Sequence, residues 1–191
     1  MITEYEIDGL AVKTGDLICT SDGGAGSIEG QFWRLIGKLI PGDVDHIVVY
    51  VGPGGRCVEA GARGKVIFFD VRDHRWDAMC MRKERGPLID RFYGVAYPLA
   101  EKEWAEGEEA AMRSKVAAYC IEQAEQQKPY NLNFLDSSTN SAFYCSQLAY
   151  KAYLGVGIDL NTNKGIPHIP GTESIVFPQE IWEGCSHVSV A

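Results

Sequence analysis

The sequence predicts an α+β fold in which an antiparallel sheet packs against helices, one of them carrying a candidate nucleophile. Short β-branched runs separated by Gly- and Pro-containing turns fill the stretch from Gly15 to Pro98. A long segment from Glu101 to Gln126 repeats apolar residues at three and four positions. After Cys145, Leu148, Ala149, Ala152 and Tyr153 form the stripe of a second buried helix face.

Taken in order, GDLICTSD at 15–22 reads as a turn followed by a buried strand. The loop SDGGAGSIEG has neither a GK[ST] ending nor a regular GxGxxG spacing, so it reads as a flexible loop rather than a phosphate cradle. Ser27 to Ile40 is helix-like, with Phe32, Trp33, Leu35, Ile36, Leu39 and Ile40 giving a broad apolar arc. Pro41-Gly42 ends it, and DHIVVYVG at 45–52 follows as a central strand opening on His46. The turn Pro53-Gly54-Gly55 leads into RCVEAG, and KVIFFDV at 65–71 makes the next strand of an antiparallel meander. WDAMCMR at 76–82 and FYGVAYP at 92–98 read as two more strands around a charged loop with Gly86-Pro87.

The helix expected over 101–126 repeats Met112, Val116, Tyr119, Cys120 and Ala124, with acids crowding its start, and Gln127-Lys128-Pro129 stops it. Ser137, Ser138, Thr139, Asn140 and Ser141 offer N-caps for the Cys145 helix, which GVGID closes. Beyond Leu160 the tail is loop-like, with SIVFP as a candidate edge strand. No repeat or linker interrupts the chain, so residues 1–191 read as a single domain, long enough to bury about 70% of its unfolded surface.

Composition narrows the function. A net charge of −8 argues against a nucleic-acid partner. No apolar run is long enough for an integral membrane segment, and MITEYEIDGL lacks the basic-then-apolar pattern of a secretory signal, so the expected location is cytoplasmic. The six cysteines include no CxxC pair and are widely spaced, which favours core thiols over a disulfide framework or a zinc ribbon. No cofactor is expected. A metal site from His46, Cys57, Glu59 and Cys145 would follow no standard ligand spacing.

Cys145 stands apart because it falls in the first turn of a helix, where unpaired N–H groups and the macrodipole favour a thiolate. A thiolate nucleophile needs a base, and the base needs a third group to orient it. Of the four histidines, His74 lies in a charged loop and His168 and His187 in the tail, whereas His46 starts a central strand. If the hairpin pairs around Gly52–Gly55, position 46 faces a point near 60, which brings Glu59 within reach on the correct register and face. Pattern alone leaves the bland alternatives standing: a structural strand-end histidine, an inert buried thiol and a surface glutamate.

GDLICTSD, DHIVVYVG, RCVEAG and FYCSQLAYKAY, in that order, resemble the circularly permuted branch of the NlpC-type, papain-like cysteine hydrolases, and within it the YiiX/YebB-like proteins. The histidine-before-cysteine order is the specific part of the likeness, which spans Gly15 to Tyr153 and includes KPYN near Tyr130. The resemblance implies a circularly permuted papain-like fold, Cys145 as nucleophile, His46 as general base and acid, and Glu59 as the orienting third member. Tyr130 would be a wall of the substrate pocket or the second oxyanion donor. Gln147 and Asn131 replace a glutamate and an aspartate common in the family, and Ile47-Val48 replaces a smaller residue after the histidine.

The expected activity is that of a cysteine peptidase or amidase, cleaving a peptide or peptidoglycan-like amide through a thioester on Cys145. The alternatives are a thiol acyltransferase or lipase acting on lipid, which the apolar 27–40 segment would suit, and a non-catalytic lipid- or peptide-binding module. Partners are accordingly a small peptide, amide or lipid substrate.

Overall fold

Asp8 and Gly9, with φ of 46° and 85°, turn the chain between β1 (Glu4–Ile7) and β2 (Leu10–Lys13). Two central residues at positive φ are what a tight antiparallel hairpin demands, and an Asp-Gly pair supplies them. In this computed structural model residues 1–22, 42–100, 102–168 and 170–190 are described. The helix expected over 27–40 and most of the glycine-rich loop before it lie outside them, as does the argument for a lipid substrate drawn from that helix.

The fold is α+β. Among the described residues six strands form one antiparallel sheet in the order β6-β5-β4-β3-β7-β8. They are β3 (Leu17–Asp22), β4 (His46–Tyr50), β5 (Arg56–Ala60), β6 (Val66–Asp70), β7 (Asp90–Tyr97) and β8 (Ser186–Ser189). The meander expected from 45 to 71 is present as β4-β5-β6. β3 joins it through Leu17↔Val49 to Thr20↔His46 and pairs on its other side with β7. At Gly55, where φ is 83°, an added Cβ would collide with the Val71 carbonyl oxygen. The β4–β5 turn therefore needs glycine there, and that turn sets the register of His46 against Glu59.

Alternation along the strands builds a core on each face of the sheet. Leu17, Cys19, Ile47, Val49, Val58 and Ala60 point to the side covered by α2 (Glu108–Glu125), α3 (Cys145–Leu154) and α4 (Pro178–Gly184). Ile18, Val48, Tyr50, Cys57, Phe69 and Val95 point to the other side, under Ile7 and Val12 of the hairpin and Met81 of α1 (Ala78–Arg85).

Three sequence expectations are corrected. WDAMCMR does not form a strand: Asp77 caps α1 by accepting the Cys80 N–H at 3.0 Å, and the helix buries Ala78, Met81 and Arg85. α2 begins at Glu108, not near Glu101, because Gly107 adopts a left-handed conformation (φ 77°) immediately before it. SIVFP is not an edge strand. The Val176 N–H donates to the Tyr144 hydroxyl at 3.1 Å and its carbonyl accepts from Ser146 Oγ at 2.7 Å, which docks this segment on the start of α3. The edge strand from this part of the chain is β8, after a short helix that opens on Pro178.

No helix among the described residues is long and apolar enough to cross a membrane.

Candidate active site

Cys145 is the first residue of α3, whose stripe Leu148, Ala149, Ala152 and Tyr153 is buried as its spacing requires. The serines upstream do not cap this helix. Ser138 and Thr139 instead donate backbone N–H groups to Asp136 Oδ1, while Tyr144 occupies the cap position in extended conformation. Gln147 Oε1 accepts the Tyr144 N–H at 3.2 Å and the Asn131 side-chain amide at 3.0 Å. Gln147 Nε2 in turn donates to the Thr139 carbonyl at 3.2 Å. The side-chain amides of Asn131 and Gln147 thus form a complementary pair that fixes the entry to α3 without burying a charge.

The Cys145 thiol lies beside the His46 imidazole, with the backbone N–H groups of Ser146 and Ile47 also close to it. His46 Nε2 lies 2.8 Å from Glu59 Oε2. With Nε2 committed to the carboxylate, Nδ1 is the nitrogen left for the thiol. Neighbouring Val58 and Ala60 face the helices while Cys57 faces α1, so Glu59 falls on the α1 side of the sheet. There Arg85 meets it with two hydrogen bonds, Nε to Oε1 at 3.0 Å and Nη2 to Oε2 at 2.7 Å. Glu59 and Arg85 have no exposed surface, and His46 and Cys145 retain only 8% and 6%.

Burial by itself would suppress charge on every one of these groups. For Cys145 it is outweighed by the His46 charge, the hydrogen bond to His46 and the two N–H groups, which together hold the thiol below its ordinary value. Burial likewise opposes the imidazolium, but the Cys145 and Glu59 charges and hydrogen bonds raise His46 well above 6.5. The two shifts describe one ion pair, a thiolate beside an imidazolium. Glu59 is held below the usual carboxylate range against its burial, first by the Arg85 charge and then by His46. Other cysteines move the opposite way: burial pushes Cys19 well up and Cys120 to about 12, and Asp77 raises the exposed Cys80.

Tyr130 is half-buried, with its N–H on the Gly64 carbonyl at 2.8 Å and its ring edge-on to Phe134. Its phenol is raised by burial first and then by the charges of Cys145, Tyr144 and Glu59, which places it in the same electrostatic neighbourhood as the thiol. All four residues singled out in the sequence, Cys145, His46, Glu59 and Tyr130, are therefore gathered in one region. Arg85 and Asp90 join them with no local sequence pattern to mark either. Asp90 takes the other side of the Arg85 guanidinium, with Nη1–Oδ1 and Nη2–Oδ2 distances of 2.7 and 2.9 Å.

A buried thiolate paired with an oriented imidazolium can attack an electrophilic carbon and return a proton to a leaving group. No family model, no curated protein and no solved structure matches this chain.

Proposed function

We propose that the protein is a cysteine hydrolase that cleaves an amide bond, in a peptide or peptidoglycan-like substrate, through a thioester on Cys145. The observation that carries this reading is the continuous chain from the Cys145 thiol through His46 to the buried Glu59, with the thiol held down and the imidazole held up. The order of the three residues along the chain and the packing of the cysteine helix on the sheet that bears His46 support a circularly permuted papain-like fold.

The Cys145 thiolate attacks the substrate carbonyl carbon, and the carbonyl π electrons move to oxygen. The Cys145 backbone N–H, at the start of α3, stabilises that oxyanion, since the first turn of a helix offers it no internal acceptor. The imidazolium of His46 then protonates the leaving amine as the carbon–nitrogen bond breaks, leaving the thioester. His46, now neutral, takes a proton from water, whose oxygen attacks the thioester and releases the acid. Glu59 keeps the ring oriented and favours its cationic form throughout. Tyr130 serves as a wall of the pocket beside the thiol.

The test is the rate of iodoacetamide alkylation at Cys145 across pH, read by peptide mass spectrometry in the parent and in His46→Ala. Hydrolysis of a panel of peptide amides is measured alongside, with Cys145→Ala as the blank. Labelling that persists well below the ordinary thiol range and is lost in His46→Ala, with turnover that vanishes in Cys145→Ala, supports the reading. Ordinary thiol behaviour in both proteins overturns it.

A further inference from the structure

Arg85 is fully buried, and its planar guanidinium is divided between two carboxylates through the four hydrogen bonds described above. The rings of Phe69 and Trp76 lie over it, with their centroids 4.7 and 4.8 Å from Cζ. Asp90 is satisfied further by Thr20 Oγ1 at 2.7 Å and Trp76 Nε1 at 3.3 Å. A buried charge cluster of this kind is a poor source of stability, because apolar side chains of equal volume commonly do as well or better. Its placement suggests another role. The Glu59 oxygen that accepts from Arg85 Nη2 is the same Oε2 that meets His46.

We infer that Arg85 and Asp90 are positioning residues for the Cys145–His46 pair: Arg85 fixes Glu59 as an oriented carboxylate, and Asp90 offsets the Arg85 charge so that His46 still faces a net negative group. The inference rests on the reading of Cys145 as a nucleophile. A carboxylic acid buried as deeply as Glu59 would ordinarily keep its proton, and a neutral Glu59 would do little to hold an imidazolium. The Arg85 fork prevents that, and its planar geometry holds both carboxylates at once, which a lysine could not do. Arg85 alone, however, would cancel the Glu59 charge seen from the ring. Asp90 restores the balance, since the two carboxylates exceed the one guanidinium by a single negative charge.

Charged and titratable groups near His46 among the described residues come from several elements. They include Cys145 from α3, Glu59 from β5 and Asp90 from β7, with Arg85 from α1 acting through Glu59 and Tyr130, from the segment before α3, beside Cys145 and Glu59. Asp90 responds to the imidazole across the network. Burial pushes its carboxyl up, but the Arg85 charge and hydrogen bonds and the charge on His46 bring it down to about 2.

The experiment is the pH profile of Cys145 alkylation in Asp90→Asn beside the parent and His46→Ala, with thermal melts to show that each is folded. Asparagine keeps the shape of the side chain and removes the charge. The acid limb of labelling is expected to move up by about one pH unit, a tenfold loss of thiolate on that limb. Carbon NMR of the side-chain carboxyls in the parent gives a reading that needs no variant, with Asp90 and Glu59 both expected to titrate below their ordinary ranges. A parent without fast, His46-dependent labelling overturns the nucleophile reading itself. A parent that has it, with a limb that Asp90→Asn leaves in place, overturns only the role of Arg85 and Asp90. Titration of Glu59 or Asp90 above the ordinary range does the same.

Discussion

His46 and Glu59 meet diagonally, not face to face. The paired residues of their strands, Val49↔Val58 and Tyr50↔Cys57, continue to place position 61 opposite His46, so Glu59 sits two residues away on the same face. Its side chain closes that offset to a 2.8 Å contact with Nε2. Diagonal neighbours on a sheet are separated by more than directly opposed ones, so a long side chain is needed to span the gap. An aspartate at 59 would fall short.

Glu59→Gln preserves the length of that arm and removes its charge. The amide can still contact the imidazole, but it no longer favours the imidazolium, and the Arg85 fork loses one of its two anions. Hydrolysis of the amide substrate is expected to fall by about 10²-fold or more, within the range usual for general acid–base catalysis. The fall should appear in kcat, with weak activity retained and Cys145 labelling shifted to higher pH. Steady-state kinetics on folded protein decide it, and a fully active variant removes Glu59 from the third position.

The contact between His46 and Glu59 was legible because it is nearly local. A β-branched run, a Pro-Gly-Gly turn and a second run specify a hairpin, and a hairpin brings positions thirteen residues apart into reach. Cys145 was legible for a similar reason, as the apolar stripe after it dictates where the helix starts. Arg85 was not. It lies in the charged tract MRKERGP, and nothing local marks which of Arg82, Lys83 and Arg85 turns inward. That is decided by Glu59 and Asp90 on two other strands. β8 is hidden for the opposite reason: His187, Val188 and Ser189 remain exposed, so the edge strand has no apolar face to read. The hairpin at Asp8-Gly9 did carry a signal, since that dipeptide at a two-residue turn is among the strongest short-range markers of a hairpin.

The depressed carboxyl of Asp90 makes a prediction about acid stability. Its value is about 2 in the fold against an ordinary 3.8. A group whose pKa is lowered by folding adds stability wherever it is ionised and loses it as pH falls through the folded value. The shift amounts to about 2 kcal/mol, present in full above a pH of about 4 and lost by a pH of about 2. Glu59 acts in the same direction, while Asp16 and Glu180, both raised primarily by burial, act against it. Comparing the parent with Asp90→Asn removes the contributions of Asp16 and Glu180, which lie outside the Arg85 network. In chemical denaturation the gap between the two proteins is expected to be widest near neutrality and to narrow across that acid window. A gap independent of pH would mean that Asp90 is not held ionised by the fold.

The segment from Trp76 to Arg82 offers a direct comparison of two periodicities. Read as a strand, it places Met79 and Met81 on the same face, so both should matter or neither should. As α1, it separates them: Met81 is 4% exposed and packs in the core beneath the sheet, whereas Met79 is 60% exposed. Helical spacing also puts Arg85 one turn beyond Met81 on the buried side, which is how the guanidinium reaches Glu59. Met81→Ala is therefore expected to cost about 2–5 kcal/mol through lost burial and the cavity left behind. Met79→Ala should stay within about 0.5 kcal/mol of the parent, as exposed positions do. Denaturant melts of the two variants suffice. Equal losses would restore the strand and take Arg85 away from Glu59, whereas the unequal pair fixes the face of α1 that delivers the guanidinium to the site.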